Sequence, residues 1–208
     1  MVLALTVVTL MFVLAAPTDD WSLGLGLALQ TMVLAVAATT SKSSLVRGRP
    51  TFISIVGVAL LFGALVAVLS PAKWITATIW GVVALLTIFI IARGTARALR
   101  EQGVSGQVIF GAITLYLLVG VTFAFVITVG DAIASGQWFV QTDSPSVSDR
   151  IYFSFITLTT TGYGDLTPAT RGGHALSVLE ALMGQLYLVT IVGLLVGGFV
   201  SRKQRGTL

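Results

Sequence analysis

Apolar and polar positions fall along this chain in long blocks rather than at a short repeating period. Six apolar stretches stand out: about Val2 to Ala16, Trp21 to Thr39, Phe52 to Leu69, Trp74 to Ala92, Val108 to Val129 and Ala175 to Val200. A helix needs about 20 apolar residues to cross the hydrocarbon core, with a range of about 17–25. Each stretch therefore predicts one membrane-spanning helix, the first a short one. Between the fifth and sixth lies Asp131 to Arg171, polar at both ends with an apolar middle, Ile151 to Leu158. That middle is too short to cross. It reads as a re-entrant segment, which the membrane tolerates only when it is buried in protein or lines water. The expected fold is an all-α membrane protein of six transmembrane helices with a re-entrant helix and loop before the last.

Composition agrees. The chain has 208 residues, 56% hydrophobic and 10% charged, with a mean hydropathy of +0.99. Soluble domains carry about 25% charged residues, so a soluble enzyme and a free nucleic-acid binder are excluded. There is no cysteine, hence no disulfide, thiol nucleophile or Cys-ligated metal. His174 is the single histidine.

The basic residues set an orientation. Lys42, Arg47 and Arg49 follow the second stretch, Arg93, Arg97 and Arg100 the fourth, and Arg202, Lys203 and Arg205 the sixth. If six helices alternate, these nine of the twelve lie on one side. The other side holds Lys73, Arg150 and Arg171 with Asp19, Asp20, Asp131, Asp143, Asp149 and Asp165. By the positive-inside rule both termini are cytoplasmic. A signal peptide ending near Leu14-Ala15-Ala16 is the alternative for residues 1–16, although no positive charge precedes it.

The chemistry concentrates in Ser148 to Pro168, SDRIYFSFITLTTTGYGDLTP. Ser148 reads as an N-cap with Asp149 in the first turn of a short helix. Tyr152, Phe153 and Phe155 give that helix an aromatic body, and it must end near Thr159, since Gly162 and Gly164 oppose further helix. The next six residues are Thr160, Thr161, Gly162, Tyr163, Gly164 and Asp165. This run closely resembles the selectivity filter of the potassium channel family, T-V-G-Y-G-D, and the short helix before it with an apolar span on each side matches as well.

The resemblance implies rings of backbone carbonyls that replace the water shell of a dehydrated cation. Gly162 and Gly164 allow the backbone to alternate so that these carbonyls share one axis. The permeant K+ ions would bind at Thr160, Thr161, Gly162 and Tyr163, with Gly164 completing the filter, and the Thr160 hydroxyl would be the innermost ligand. Thr161 and Tyr163 would point away from the axis, with Tyr163 reaching the aromatic cuff at Tyr152. Asp165 would concentrate cations at the outer mouth. The negative end of the short helix would face a water-filled cavity. Thr161 departs from the usual valine or isoleucine, which puts the degree of selectivity in doubt, while Tyr163 argues against non-selective cation channels.

The last stretch resembles the inner helix of bacterial potassium channels. Gly184 lies twenty positions after Gly164, where the family commonly has a hinge glycine. Close helix packing is the other reading of Gly184. Glu180 is the one acid inside a span, and such residues are costly and usually functional. It is expected to accept a hydrogen bond from threonine or serine behind the filter. A pore-lining or an external position is the alternative. Gln185 could face the central cavity. The resemblance covers about Val108 to Val200 and contains one filter sequence, so it implies a C4 homotetramer.

The remaining layout is coarser. Residues 1–100 read as a four-helix domain, 101–107 as a cytoplasmic linker, 108–200 as the pore domain, and 201–208 as a short basic tail. The fourth stretch has no basic residue inside it, so Arg93, Arg97 and Arg100 read as anchors and not as voltage-sensing charges. Arg47, Arg49, Arg97 and Arg100 could touch anionic lipids. The expected function is a potassium-selective channel of the plasma (inner) membrane, with no enzymatic reaction, no cofactor and no nucleic-acid partner. The rival readings are a weakly selective cation channel, a non-conducting membrane scaffold and, given a monomer, a transporter.

Overall fold

The computed structural model describes residues 2–15, 73–133 and 137–205. The second and third predicted spans, with Arg47 and Arg49, lie outside the described residues. Five helices are described: α1 (Val2–Ala15), α2 (Lys73–Gln102), α3 (Gly106–Ile133), α4 (Val147–Leu158) and α5 (Arg171–Arg205). Of these, α3 over 106–132 and α5 over 171–198 are long and apolar enough to cross a membrane. The described residues thus form an all-helical membrane protein, and the predicted fifth and sixth spans and the short helix between them coincide with α3, α5 and α4.

Two boundaries differ from expectation. The fourth helix runs on unbroken through Arg93, Arg97 and Arg100 to Gln102, because Ala, Arg, Leu and Glu there are strong helix formers. The linker shrinks to Gly103, Val104 and Ser105. Gly103 ends α2 at φ 67°, its N–H donating to Leu99 O at 3.0 Å, a left-handed stop that glycine adopts at little cost. The N-cap of α4 is Ser146, not Ser148. Ser146 Oγ accepts from Asp149 N at 3.1 Å and Asp149 Oδ2 accepts from Ser146 N at 2.8 Å, a reciprocal capping box. Ser148 Oγ instead donates to Leu14 O at 3.0 Å.

Helix α3 is the hub, packed against α2, α4, α1 and α5. Its threonines are no burden in an apolar setting. Thr114, Thr122 and Thr128 each donate to the carbonyl four residues earlier, at 2.7, 2.8 and 2.9 Å, so no hydroxyl is left unpaired. Leu10 of α1 joins Val121, Phe125 and Ile151 in one apolar cluster. A second cluster gathers Ile127, Trp138, Phe139 and Phe153, with Leu166 and Leu176 against it. Phe139 meets Phe153 edge-on at 5.1 Å. The segment before α4 is also clipped to the segment after the glycine loop. Val140 N donates to Thr167 O at 3.0 Å, Ala169 N to Trp138 O at 2.7 Å, and the Gln141 amide pairs with Thr167 twice at 2.9 Å. Helix and loop are thereby held at both ends.

Candidate functional site

The loop is built from the end of α4 outward. The last four carbonyls of any helix lack partners within it, and here all four find one. Phe155 O accepts from Thr159 N at 3.0 Å, Ile156 O from Thr161 N and Gly162 N at 2.8 and 3.0 Å, and Thr157 O from Thr160 N at 2.9 Å. Leu158 O accepts from the Tyr116 hydroxyl of α3 at 3.2 Å. The start of the loop is thus pinned by its own backbone to the helix that precedes it.

Beyond that point the backbone alternates. Thr160, Gly162 and Gly164 have φ of 58°, 52° and 80°, while Thr161 and Tyr163 between them do not have positive φ. Alternation of hand turns successive carbonyls toward one side, the arrangement a carbonyl-lined ion path needs. Glycine adopts positive φ freely. Thr160 does not, and a residue held there costs about 1–3 kcal/mol. It is held from two directions, by Thr157 O at its N–H and by Gln185 Nε2, which donates to Thr160 Oγ1 at 3.0 Å.

The outer end differs in detail from expectation. The Tyr152 hydroxyl donates to Asp165 Oδ2 at 2.7 Å, so its partner is the mouth carboxylate and not Tyr163. That hydrogen bond pushes the Tyr152 phenol up to about 12. Tyr163 is 72% exposed and turns away from its own chain. Phe153 is buried against Leu166 and the Trp138–Phe139 segment, bracing the stretch just past Asp165. Thr161 Oγ1 lies 2.9 Å from Thr159 Oγ1, so the residue that departs from the family pattern spends its hydroxyl on a neighbour.

Behind the loop, Glu180 of α5 is buried with 0% exposure, as is Ser154 of α4. Glu180 Oε1 is hydrogen-bonded to Ser154 Oγ, and Ser154 Oγ also donates to Gly120 O of α3 at 2.7 Å. Three helices therefore meet at one serine. Glu180 Oε2 has no hydrogen-bond partner among the described residues. Gly184 sits against the end of α4: a Cβ there would lie 2.2 Å from Leu158 O. Close packing is the role this contact gives it. Gln185, one position on, is exposed and reaches Thr160.

Sequence reasoning missed Tyr116, Gly120, Ser154 and the Trp138–Val140 clip. It also missed Arg150, which pairs with Asp131 across α4 and the end of α3. A lone serine in an apolar helix was the available signal for Ser154, given an unpaired acid elsewhere.

Residues 111–200 match the ion channel family. Similar curated proteins include potassium voltage-gated channel subfamily A member 10 of Mus musculus, 30% identical over 94 residues that cover 43% of this chain and 17% of that protein. Subfamily A member 4 of Homo sapiens is also 30% identical over 94 residues, covering 43% of this chain and 13% of that protein. The chain therefore spans at most about a sixth of the length of these relatives. No solved structure matches. Over these matched residues the chain is similar to an ion channel family and to potassium voltage-gated channels, which are ion channels and not enzymes.

Proposed function

We propose that four copies of this chain form a C4 channel that conducts K+ passively and selectively across the plasma membrane. The observation that carries this reading is the alternating backbone at Thr160, Gly162 and Gly164, hung from the last carbonyls of α4. In the ring, Thr160 to Gly164 supply the carbonyl ladder, Asp165 gathers cations at the mouth, and the Tyr163 ring packs on the neighbouring copy. The bare apolar face of α5, including Val178, Leu182, Leu186 and Val189, supports the same assembly. The layout is six spans with both termini cytoplasmic, a four-helix domain over 1–100, a pore domain over 108–200 and a basic tail over 201–208. Arg47, Arg49, Arg97 and Arg100 face anionic lipid headgroups, Arg97 also holding Glu101 at 2.9 Å. Voltage dependence is weak, since α2 carries no basic residue between Trp74 and Ala92.

The test is reversal potential across a planar bilayer, with purified protein between opposed K+ and Na+ solutions. A value near the K+ equilibrium potential is expected. It should collapse toward zero, or current should vanish, in Tyr163→Ala and Gly164→Asp. Unchanged selectivity in both variants would sink the filter assignment.

A second reading, a weakly selective monovalent cation channel, is favoured by the Thr159–Thr161 hydroxyl pair. Polar contact replaces the apolar packing of valine at that position. Clear current with a reversal potential near zero in the unaltered protein would select it.

A further inference from the structure

Thr160 is the only residue other than glycine with positive φ among the described residues. Asparagine or glycine would take that conformation with less strain, so its retention points to a need for the hydroxyl. The hydroxyl is not left to rotate freely, because Gln185 Nε2 donates to it at 3.0 Å. Gln185 can reach because Gly184 lets α5 approach the end of α4. An amide has two ends. The donor end is committed to Thr160. The acceptor end, Oε1, makes no hydrogen bond among the described residues, on a side chain that is exposed.

We propose that Gln185 is both a positioning residue and a ligand for the innermost cation site. Its amide N–H fixes the Thr160 hydroxyl with one lone pair toward the pore axis. In the ring, four Gln185 Oε1 atoms form an added tier of acceptors just below the four threonine hydroxyls. Together they take a cation of potassium size as it sheds water from the cavity side, and a divalent cation of the same radius binds there longest. This rests on the channel reading above and names a residue that sets affinity at its inner end.

Ba2+ is the probe, having nearly the radius of K+ and twice its charge. It is applied to the cytoplasmic side of the full-length protein in planar bilayers while K+ current is recorded. In Gln185→Leu, of similar size and without polar atoms, Ba2+ should dissociate about five- to tenfold faster from the channels that carry K+ current, the worth of one neutral hydrogen bond. Gln185→Asn, one methylene too short to reach Thr160, should behave like the leucine variant and serves where that variant forms no channel. Gln185→Glu should tighten block, since it keeps the acceptor tier and adds charge. Thermal unfolding midpoints should match the parent protein, which separates a ligand role from a packing role. Unchanged Ba2+ affinity and dissociation in the leucine and asparagine variants, beside a parent channel that Ba2+ blocks, would overturn the inference alone. Absence of K+ current from the parent protein would overturn the channel reading itself.

Discussion

Glu180 and Ser154, from helices α5 and α4, meet in a contact sealed from solvent, and Ser154 also donates to Gly120 O of α3 at 2.7 Å. The Ser154 hydroxyl is shared between the two acceptors as a three-centre bond. Glu180→Gln should be tolerated, since an amide oxygen can accept from Ser154 in the same place. Glu180→Ala should lower stability by about 1–3 kcal/mol through the lost bond and the cavity. Thermal unfolding in detergent, followed by near-UV circular dichroism, checks the order.

Gly184→Ala should be poorly tolerated. The added methyl would fall 2.2 Å from Leu158 O, and backbone cannot yield as a side chain can. A loss of about 1–3 kcal/mol is expected. Gly193→Ala is the control, because no atom lies within 4 Å of its Cβ position, and it should gain up to about 1 kcal/mol of helix propensity. Equal melting points for the two variants would remove the packing role of Gly184.

Arg150 and Asp131 form an ion pair, largely shielded, between the first turn of α4 and the last turns of α3. Asp131→Asn should cost about 1–2 kcal/mol, reduced by partial exposure. The exchanged pair, Asp131→Arg with Arg150→Asp, should recover more stability than either single reversal. A double-mutant cycle of melting temperatures reads the coupling.

Tyr152 holds Asp165 by its phenolic proton, and that bond raises the phenol to about 12. A group whose folded pKa is raised contributes fully below its ordinary value near 10 and is lost as pH rises through about 12. Current through the proposed channel should therefore be insensitive to this bond between pH 7 and about 9. Tyr152→Phe should shorten the time the channel stays conducting at neutral pH. An ultraviolet titration near 295 nm should lose one tyrosine's worth of its alkaline component in the same variant.

The glycine loop was legible from Thr160 to Asp165 because backbone alternation demands glycine at fixed spacing and little else can substitute. Helices α3, α4 and α5 were legible because the hydrocarbon thickness fixes span length. Side-chain partners were not. Ser146 and Ser148 both stand before an acidic turn, and only the backbone decides which one caps it. Tyr152 was expected to meet Tyr163, whereas its hydroxyl donates to the carboxylate two residues further on. Glu180 was expected to bond a threonine or serine hydroxyl behind the filter, and Ser154 of α4 is that residue. Gly184 could be read as hinge or contact, and the Leu158 carbonyl beside it supplies the contact. The predicted spans Trp21 to Thr39 and Phe52 to Leu69 lie outside the described residues.

The hydrogen bonds from Thr159, Thr160, Thr161 and Gly162 back to α4 all arise within one chain. The inner half of the loop is thus shaped before any copy meets another. Assembly of the proposed ring then joins preformed quarters, and no quarter learns its curvature from its neighbours. A mixed ring of altered and unaltered chains should accordingly carry its defect locally, graded by the number of altered quarters and not triggered by the first.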